Sequence, residues 1–321
     1  MARTALKIDD LPTPKVEEWK YTNLARMMPA NLVLADKPQE IVIHKTRGQV
    51  CEQPEDILFT GYDEQHSQPV LKITLEEGAS LTIIERQDGE GAYWKNMVTE
   101  IELGKGANLQ HVRLNMDSAQ AVQTNLVTVK ADRDSVYNGF SMNIGGALTR
   151  HDIHALIEGE NAEVSFNGVN LLQDKQLGDT TILIEHKAPH CRSNQFYRTL
   201  LDDSAHGVFQ GKVHVHKPAQ KTDGYQLSNA LLLSTNAKMD TKPELEIYAD
   251  DVKCSHGATT GQLDEAPLFY LRQRGLNEAQ ARLLLIQAFI DEVVDTIADE
   301  TIRETVLKDT STWLQTALKA K

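Results

Sequence analysis

Cysteine is scarce in this chain, and its apolar runs are short. The three cysteines, Cys51, Cys191 and Cys254, are too few for a disulfide framework, which favours a reduced cytosolic setting. Apolar runs such as Leu283–Ile286 are far too short to cross a bilayer. The first ten residues, MARTALKIDD, contain no apolar h-region, so the sequence predicts no secretory signal and a cytoplasmic protein.

Positive charge is also in deficit. The chain of 321 residues has 33 Lys and Arg against 46 Asp and Glu, a net charge of -13. This balance argues against nucleic acid or an anionic membrane as a general partner, since both need a positive field. The sequence also lacks a P-loop, H-E-x-x-H, G-x-S-x-G and C-x-x-C. It therefore contains no recognisable ATPase or hydrolase motif.

What the sequence does contain is an internal repeat of about 28 residues. A unit such as LKITLEEGASLTIIE, residues 71–85, has an alternating strand, a polar turn and a second alternating strand. Because Leu71, Ile73 and Leu75 alternate with polar residues, the unit is built from strands. The residues that follow successive turns are 28, 28, 27, 28 and 29 positions apart: Ala79, Ala107, Ser135, Ala162, His190 and Ala219.

This spacing predicts a mainly β, β-helix-like solenoid over residues 40–262. One coil cannot bury its apolar face alone, whereas stacked coils hydrogen-bond to one another as parallel sheets. The alternative is a β-sandwich of evenly spaced hairpins, but hairpins rarely keep their spacing to within one residue over six units. Residues 1–39, punctuated by proline, are interpreted as an extended N-terminal arm or cap.

Residues 263–321 predict a helical module. Asp264 is a helix N-cap, Gly275 ends that helix, and Asn277 with Gln280 resembles a capping box for the next one. A last amphipathic helix is expected to bury one side, made of Ile302, Val306, Trp313 and Leu318.

The histidines are the main polar candidates for a site. His151 with His154 has an odd offset along a strand, which sends the two side chains to opposite faces. In the set of His186, His190 and Cys191, the cysteine has an odd offset from both histidines, and we interpret both sets as surface or satisfied residues. His214 and His216 share a strand face, but beside Lys212 and Lys217 they are expected to form a solvated surface.

The stretch DVKCSHGAT has better geometry. In a strand, Val252, Cys254 and His256 share one face, and a thiolate with an imidazole suits zinc, iron or an iron–sulfur cluster. Two ligands fall short of the four that a closed tetrahedral site needs. The alternative is a buried cysteine that behaves as a small hydrophobe.

Two motifs carry a resemblance to a known family. VKCSHGATTGQLDEAPLFYLRQRGL, residues 252–276, resembles the C-terminal signature of the SufB/SufD family of iron–sulfur cluster assembly proteins. LPTPKVEEWKYTNL, residues 11–24, resembles the tract before the β-helix in the SufD branch. Leu227 and Ser228 stand where SufB carries a cysteine, and Gly257 stands where it has an acidic residue, which favours SufD. Little precedes Leu11, where many SufD proteins carry a helical extension, so we expect a short N-terminus.

The resemblance implies a right-handed parallel β-helix with C-terminal helices, acting as a non-catalytic scaffold. Cys254 and His256 would meet a transient iron–sulfur cluster at an interface with SufB, with no permanently bound cofactor. The ATPase SufC would dock on the C-terminal module and, on closing, rearrange that interface. We expect the docking region to include Leu268, Phe269, Tyr270, Arg272 and Arg274. An isolated chain could form a homodimer.

The alternative function is a carbohydrate-active enzyme that uses a groove of the β-helix. Such enzymes need acidic or basic residues that converge along one face of the solenoid. Asp202 and Asp203 are adjacent in sequence, so in a strand they would point to opposite faces. The sequence therefore favours the scaffold.

Overall fold

The computed structural model describes residues 6–35 and 39–319, with side chains as far as Ala317. A 3-10 helix (Glu17–Trp19) and four α-helices lie in this part of the chain: α1 (Leu24–Met27), α2 (Glu265–Gln273), α3 (Glu278–Val294) and α4 (Glu300–Lys319). The strands are β1 (Val33–Leu34), β2 (Glu40–Lys45), β3 (Glu55–Gly61), β4 (Gln65–Ser67), β5 (Val70–Leu75), β6 (Ser80–Gly89), β7 (Trp94–Leu103), β8 (Asn108–Asn115), β9 (Val122–Ala131), β10 (Val136–Asn143), β11 (Leu148–Ile157), β12 (Glu163–Leu172), β13 (Leu177–His186), β14 (Arg192–Leu201), β15 (His206–Val215), β16 (Asp223–Leu232), β17 (Lys238–Ile247) and β18 (Lys253–Gly261).

The strands form two parallel sheets. Sheet A has the order β1-β4-β7-β9-β11-β13-β15-β17, with β5 also beside β7 and β2 beside β5. Sheet B has the order β18-β16-β14-β12-β10-β8-β6-β3. From β5 onward the chain alternates between the sheets, so one coil contributes one strand to each. This confirms the predicted parallel solenoid with C-terminal helices, and the sandwich of antiparallel hairpins is wrong.

The coils do not keep a constant length. In sheet B, one column of residues in register shows this, because each member pairs with the next at steps of 28, 28, 27, 29, 31 and 30 residues: Ser80, Asn108, Val136, Glu163, Arg192, Asp223 and Lys253. Two of the predicted equivalent positions are therefore wrong, because Cys191 and Thr222 occupy the register assigned to His190 and Ala219. For Thr222 the reason is a longer turn, since residues 216–222 separate β15 from β16 whereas residues 76–79 separate β5 from β6. For Cys191 the reason is a longer strand, since β12 has 10 residues whereas β10 has 8.

Aliphatic side chains stack in the interior. One inward column of sheet A consists of residues that the register places directly over one another: Ile73, Ile101, Val129, Ala155, Ile184, Val213 and Leu245. All but Leu245 are fully or almost fully buried. At about 25 cal/mol per Å² of apolar surface removed from water, such columns drive the stacking of coils.

A polar layer interrupts this core. Glu85 is buried beside His111 and Arg113, with Nε2 of His111 at 3.0 Å and Nε of Arg113 at 3.2 Å from its carboxylate oxygens. Burial raises the pKa of Glu85, but the hydrogen bonds and charges of these partners outweigh it and bring the pKa to about 2. Lys95 and Asp117 form a second buried ion pair at 2.8 Å. In both groups each buried carboxylate lies beside a cationic partner, as buried charges require.

The N-terminal arm lies on the outer face of sheet A rather than as a purely extended segment. The indole of Trp19 stacks on the guanidinium of Arg150, 3.9 Å from the ring centroid, and Arg150 is itself paired with buried Asp179. The hydroxyl of Thr22 donates to the same Asp179 carboxylate. At the C-terminal end of sheet A, Lys242 pairs with Glu17 at 2.7 Å. The arm therefore crosses the outer face of sheet A as far as β17, the last strand of that sheet.

The helical module packs on the outer face of sheet B. Ile286, Ile290 and Val293 of α3 join one hydrophobic cluster with residues of β8, β10, β12 and β14. Asp264 caps α2, Gly275 follows it with a φ of +94°, and Asn277 with Gln280 forms the predicted capping box. Ile302 and Val306 are buried and Trp313 is half-buried, whereas the side chain of Leu318 lies outside the described residues. No helix of the described residues has both the length and the apolar character needed to span a bilayer.

Truncation of a side chain between α3 and sheet B should destabilise the protein. Ile290 is fully buried between α3 and sheet B, so Ile290→Ala is expected to lower the free energy of unfolding by about 2–5 kcal/mol. The matched control is Leu284→Ala, because Leu284 lies on the same helix and is 49% exposed. That control should change stability by less than about 0.5 kcal/mol. Urea denaturation followed by circular dichroism measures both, and equal losses would contradict the packing described above.

Candidate functional site

The strand that carries Cys254 and His256 is the last one of the solenoid. β18 pairs with β16 and forms the edge of sheet B. In the described part of the chain no strand follows it, and the backbone enters α2 directly. Half of its backbone hydrogen-bonding groups therefore face outward, where another strand can pair with them.

Both residues continue columns that run along the interior. Cys254 pairs with Gly224, which lies over Ser193, Val164 and Tyr137 in the preceding coils. The second column holds seven residues in register: Ile83, His111, Gly139, Phe166, Gln195, Gln226 and His256. The two side chains therefore occupy inward positions at which no further coil covers them.

Their environments differ. Cys254 is half-buried and packs, with Val252, against Val213, Val215 and Ala249. Burial raises the pKa of the Cys254 thiol. A methyl group on Gly224 would lie 3.4 Å from the Cys254 sulfur, in van der Waals contact with it. His256 is exposed. The site thus offers one sheltered thiol and one accessible imidazole.

Sequence reasoning missed the polar end of the interior. Gln195, Gln226 and Ser228 are buried, yet their side-chain polar atoms have no hydrogen-bond partner among the described residues. Gln195 and Gln226 directly precede His256 in its column. A signal was present, because SNQFY and YQLSN carry glutamine at equivalent positions of successive repeats. Unpaired buried polar groups are costly, so this part of the core is poorly satisfied.

Most of the other histidines do not converge. His151 is buried and His154 lies on the opposite face of β11, as predicted. His186 is buried with Nε2 at 2.8 Å from the hydroxyl of Ser193, and burial lowers its pKa to about 4. His190 is in a turn with a φ of +60°, and the buried Cys191 donates its thiol to the carbonyl of Gly159. These sets are structural, in agreement with the sequence-based interpretation.

His214 and His216 differ from that interpretation. Their rings stack with centroids 4.2 Å apart, and Nε2 of His216 lies 3.0 Å from the carboxylate of Glu185 on the neighbouring strand. Burial and the neighbouring His216 lower the pKa of His214. Glu185 is 29 residues away in sequence from His214, so inspection of one strand could not find the group.

The residues of the predicted docking region on α2 differ in their exposure to solvent. Leu268 is buried and packs within the chain, whereas Phe269 is 64% exposed and Tyr270 is 57% exposed. The guanidinium of Arg274 donates to the hydroxyl of Tyr270 at 3.1 Å, and Arg272 lies 3.6 Å from Glu278. The helix therefore presents an aromatic and cationic surface, here called the α2 surface and made of Phe269, Tyr270, Arg272 and Arg274.

The acidic pair considered for the enzyme alternative does not form a groove site. Asp202 is buried and Asp203 is exposed, in the turn that follows β14 rather than in a strand. Asp203 has a φ of +50° and accepts a hydrogen bond from the backbone of Asp174. The two carboxylates thus have different surroundings.

Comparison with known proteins decides the family. Residues 58–289 match the family model described as SUF system FeS cluster assembly, SufBD core domain. The chain belongs to the SufBD core family. The match runs from β3 into α3 and includes the strand with Cys254 and His256, so the candidate site lies within the SufBD core.

Individual relatives agree with this assignment. The chain is 38% identical over 240 residues to an iron–sulfur cluster assembly SufBD family protein of Synechocystis sp.. It is 33% identical over 269 residues to the iron–sulfur cluster assembly protein SufD of Escherichia coli, covering 83% of this chain. A chloroplastic protein of Arabidopsis thaliana, ABCI7, is also 33% identical, over 281 residues. The matched segments cover 72%, 83% and 83% of this chain, but only 53%, 61% and 59% of those relatives.

The three thiols should react in an order set by their burial. Cys191 is buried, so it should be alkylated only on unfolding, whereas Cys51 and Cys254 are partly exposed and should react in the native chain. Because burial raises the pKa of the Cys254 thiol above its ordinary range, its labelling rate should increase about tenfold from pH 7 to pH 8. Mass spectrometry of iodoacetamide-labelled peptides measures this. Rapid, pH-independent labelling of Cys254 would contradict the described environment.

Proposed function

We propose that this chain is a non-catalytic scaffold subunit of a cytosolic SufBCD-type complex for iron–sulfur cluster assembly. One observation carries the proposal: in a chain of the SufBD core family, Cys254 and His256 lie on the uncovered last strand. A site at an open edge is accessible to a second protein, whereas a site within the solenoid is not.

The number of ligands supports a shared site. Among the described residues, no third His, Cys, Asp or Glu forms a cluster with Cys254 and His256. Iron–sulfur clusters are held by about four protein ligands, mostly thiolates. The missing ligands would come from SufB, and the cluster is cargo that is assembled and passed on rather than a resident cofactor.

The edges of the two sheets support pairing with SufB. β17 ends sheet A and β18 ends sheet B, so the last coil offers two edges with free backbone groups. A β-helix of similar coil size can add strands there by β-augmentation. The same edges would allow an isolated chain to form a homodimer, since an edge strand can pair with its own copy.

The α2 surface supports docking of the ATPase SufC. Exposed aromatic residues beside arginine are the commonest energetic centres of protein interfaces. The helical module is also anchored to the solenoid, because Arg198 of β14 pairs with Glu292 and stacks on Phe289 of α3, 4.7 Å from the ring centroid. A force applied to the module would therefore reach sheet B, in which β18 lies.

Loss of the imidazole should impair assembly without dissociating the complex. With His256→Ala, the chain should still co-purify with SufB and SufC, but cluster formed by anaerobic reconstitution with iron and sulfide should decrease at least about tenfold. The matched control is Ser255→Ala, because Ser255 is also exposed and alternates to the other side of the strand. Visible absorption and acid-labile sulfide quantify the cluster. Normal cluster yield with His256→Ala would disprove the site assignment.

Loss of the α2 aromatics should weaken SufC binding. Tyr270→Ala or Phe269→Ala is expected to raise the dissociation constant roughly 30-fold or more, the effect of a 2 kcal/mol hot spot. Tyr62→Ala is the control, because Tyr62 is 60% exposed but lies on the solenoid. Calorimetric titration with SufC measures the change. An equal affinity for the Tyr270→Ala and Tyr62→Ala variants would place the docking surface elsewhere.

A further inference from the structure

A second cluster of ligand-type side chains lies on the outer face of sheet A. Glu185 comes from β13, His214 from β15, and His216 directly follows β15. The register places Glu185 beside His214, and Nε2 of His216 lies 3.0 Å from a carboxylate oxygen of Glu185. One ligand atom of each residue lies within 4.8 Å of the other two.

This arrangement is the one that strand geometry favours for a metal ion. Two histidines separated by one residue project from the same face, and here their rings are nearly parallel, with an interplanar angle of 16°. Two ligands that share a tetrahedral ion at about 2.0–2.1 Å are about 3.3 Å apart. The 3.0 Å between His216 and Glu185 is close to that separation.

An ordinary ion pair explains only part of the cluster. The contact between His216 and Glu185 does not use the second imidazole, because the ring of His214 is stacked on that of His216 and lies 3.9 Å from Glu246, beyond hydrogen-bond distance. A divalent cation instead uses the lone pairs of both neutral rings and the negative carboxylate together. Two imidazoles and one carboxylate form a ligand set known for zinc and other first-row divalent ions.

We propose that Glu185, His214 and His216 bind a divalent transition-metal ion such as Zn²⁺. The site lies outside the solenoid, whereas Cys254 and His256 occupy inward positions of sheet B. The proposal is therefore independent of the function proposed above.

The surroundings hold the ligands in place. The other carboxylate oxygen of Glu185 lies 2.7 Å from Nε2 of His154. Nδ1 of His214 lies 3.9 Å from Glu246, whose carboxylate pairs with Lys212 and accepts a hydrogen bond from the hydroxyl of Tyr248 at 2.6 Å. Hydrogen-bonded groups behind the ligands are typical of metal sites, and here the contact with His154 fixes the orientation of the Glu185 carboxylate.

The site is also open on one side. Glu185 and His214 line a cleft between sheet A and the N-terminal arm, which Glu17, Glu18 and Lys242 line as well. Three protein ligands beside a cleft leave a fourth coordination position for water or a small anion. Open sites of this kind exchange their fourth ligand, unlike closed structural zinc sites.

Metal titration of the full chain tests the proposal. After treatment with a chelator, the protein should bind one equivalent of Zn²⁺ in competition with a chromophoric chelator. The double variant His214→Ala/His216→Ala should lose more than about 100-fold in affinity, since even residues behind the ligands contribute 10–100-fold. Glu185→Gln, which keeps the shape of the side chain, should also weaken binding, and it serves as the second variant if the double variant does not fold.

Two controls locate the ion. His44→Ala removes a histidine that pairs with a glutamate, Glu76 at 3.0 Å, outside the cluster, and should leave the affinity unchanged. Cys254→Ala/His256→Ala should do the same. With Co²⁺ as the probe, the wild-type spectrum should show ligand-field bands of nitrogen and oxygen ligands without thiolate charge-transfer absorption.

The opposite results would overturn the proposal. These are no stoichiometric Zn²⁺ binding by the wild-type chain, unchanged affinity in the folded Glu185→Gln or double variant, or loss of binding in Cys254→Ala/His256→Ala alone. A thiolate charge-transfer band at one equivalent of Co²⁺ would likewise assign the ion to a cysteine.

Discussion

The parallel hydrogen bonding between successive coils is the constraint on which the rest of this structure depends. Each strand pairs with the equivalent strand one coil earlier, so every inward side chain lies over its predecessor. A coil has no apolar face that it can bury alone, and stability comes from the contact with its neighbours. The same rule makes the last coil special, because β18 has a predecessor but no described successor.

The two additions to the solenoid respect that constraint. The N-terminal arm covers the outer face of sheet A through Trp19 and Arg150, and the helices cover the outer face of sheet B through Ile286 and Ile290. Neither addition caps β18. The chain therefore buries the faces of its sheets but keeps one end of the stack accessible, next to a polar interior that contains Gln195 and Gln226.

Prediction from sequence succeeded where the signal is local. Alternation at Leu71, Ile73 and Leu75 indicated strands, and Asp264, Gly275 and the Asn277–Gln280 pair placed the helix ends correctly. The fixed spacing of turns indicated stacked coils. Prediction failed where the length of a coil changed but the alternating strand pattern did not. The longer turn at 216–222 moved the equivalent position away from Ala219.

The sequence by itself determined the repeat, the strand that carries Cys254 and His256, and the change from strands to helices, because periodicity and capping act over a few residues. Only the tertiary structure decided that β18 is an uncovered edge, that Leu268 is buried while Tyr270 is exposed, and that Glu185 meets His214 and His216. Those facts depend on which coils become neighbours and how they are aligned, and register couples residues about 30 positions apart.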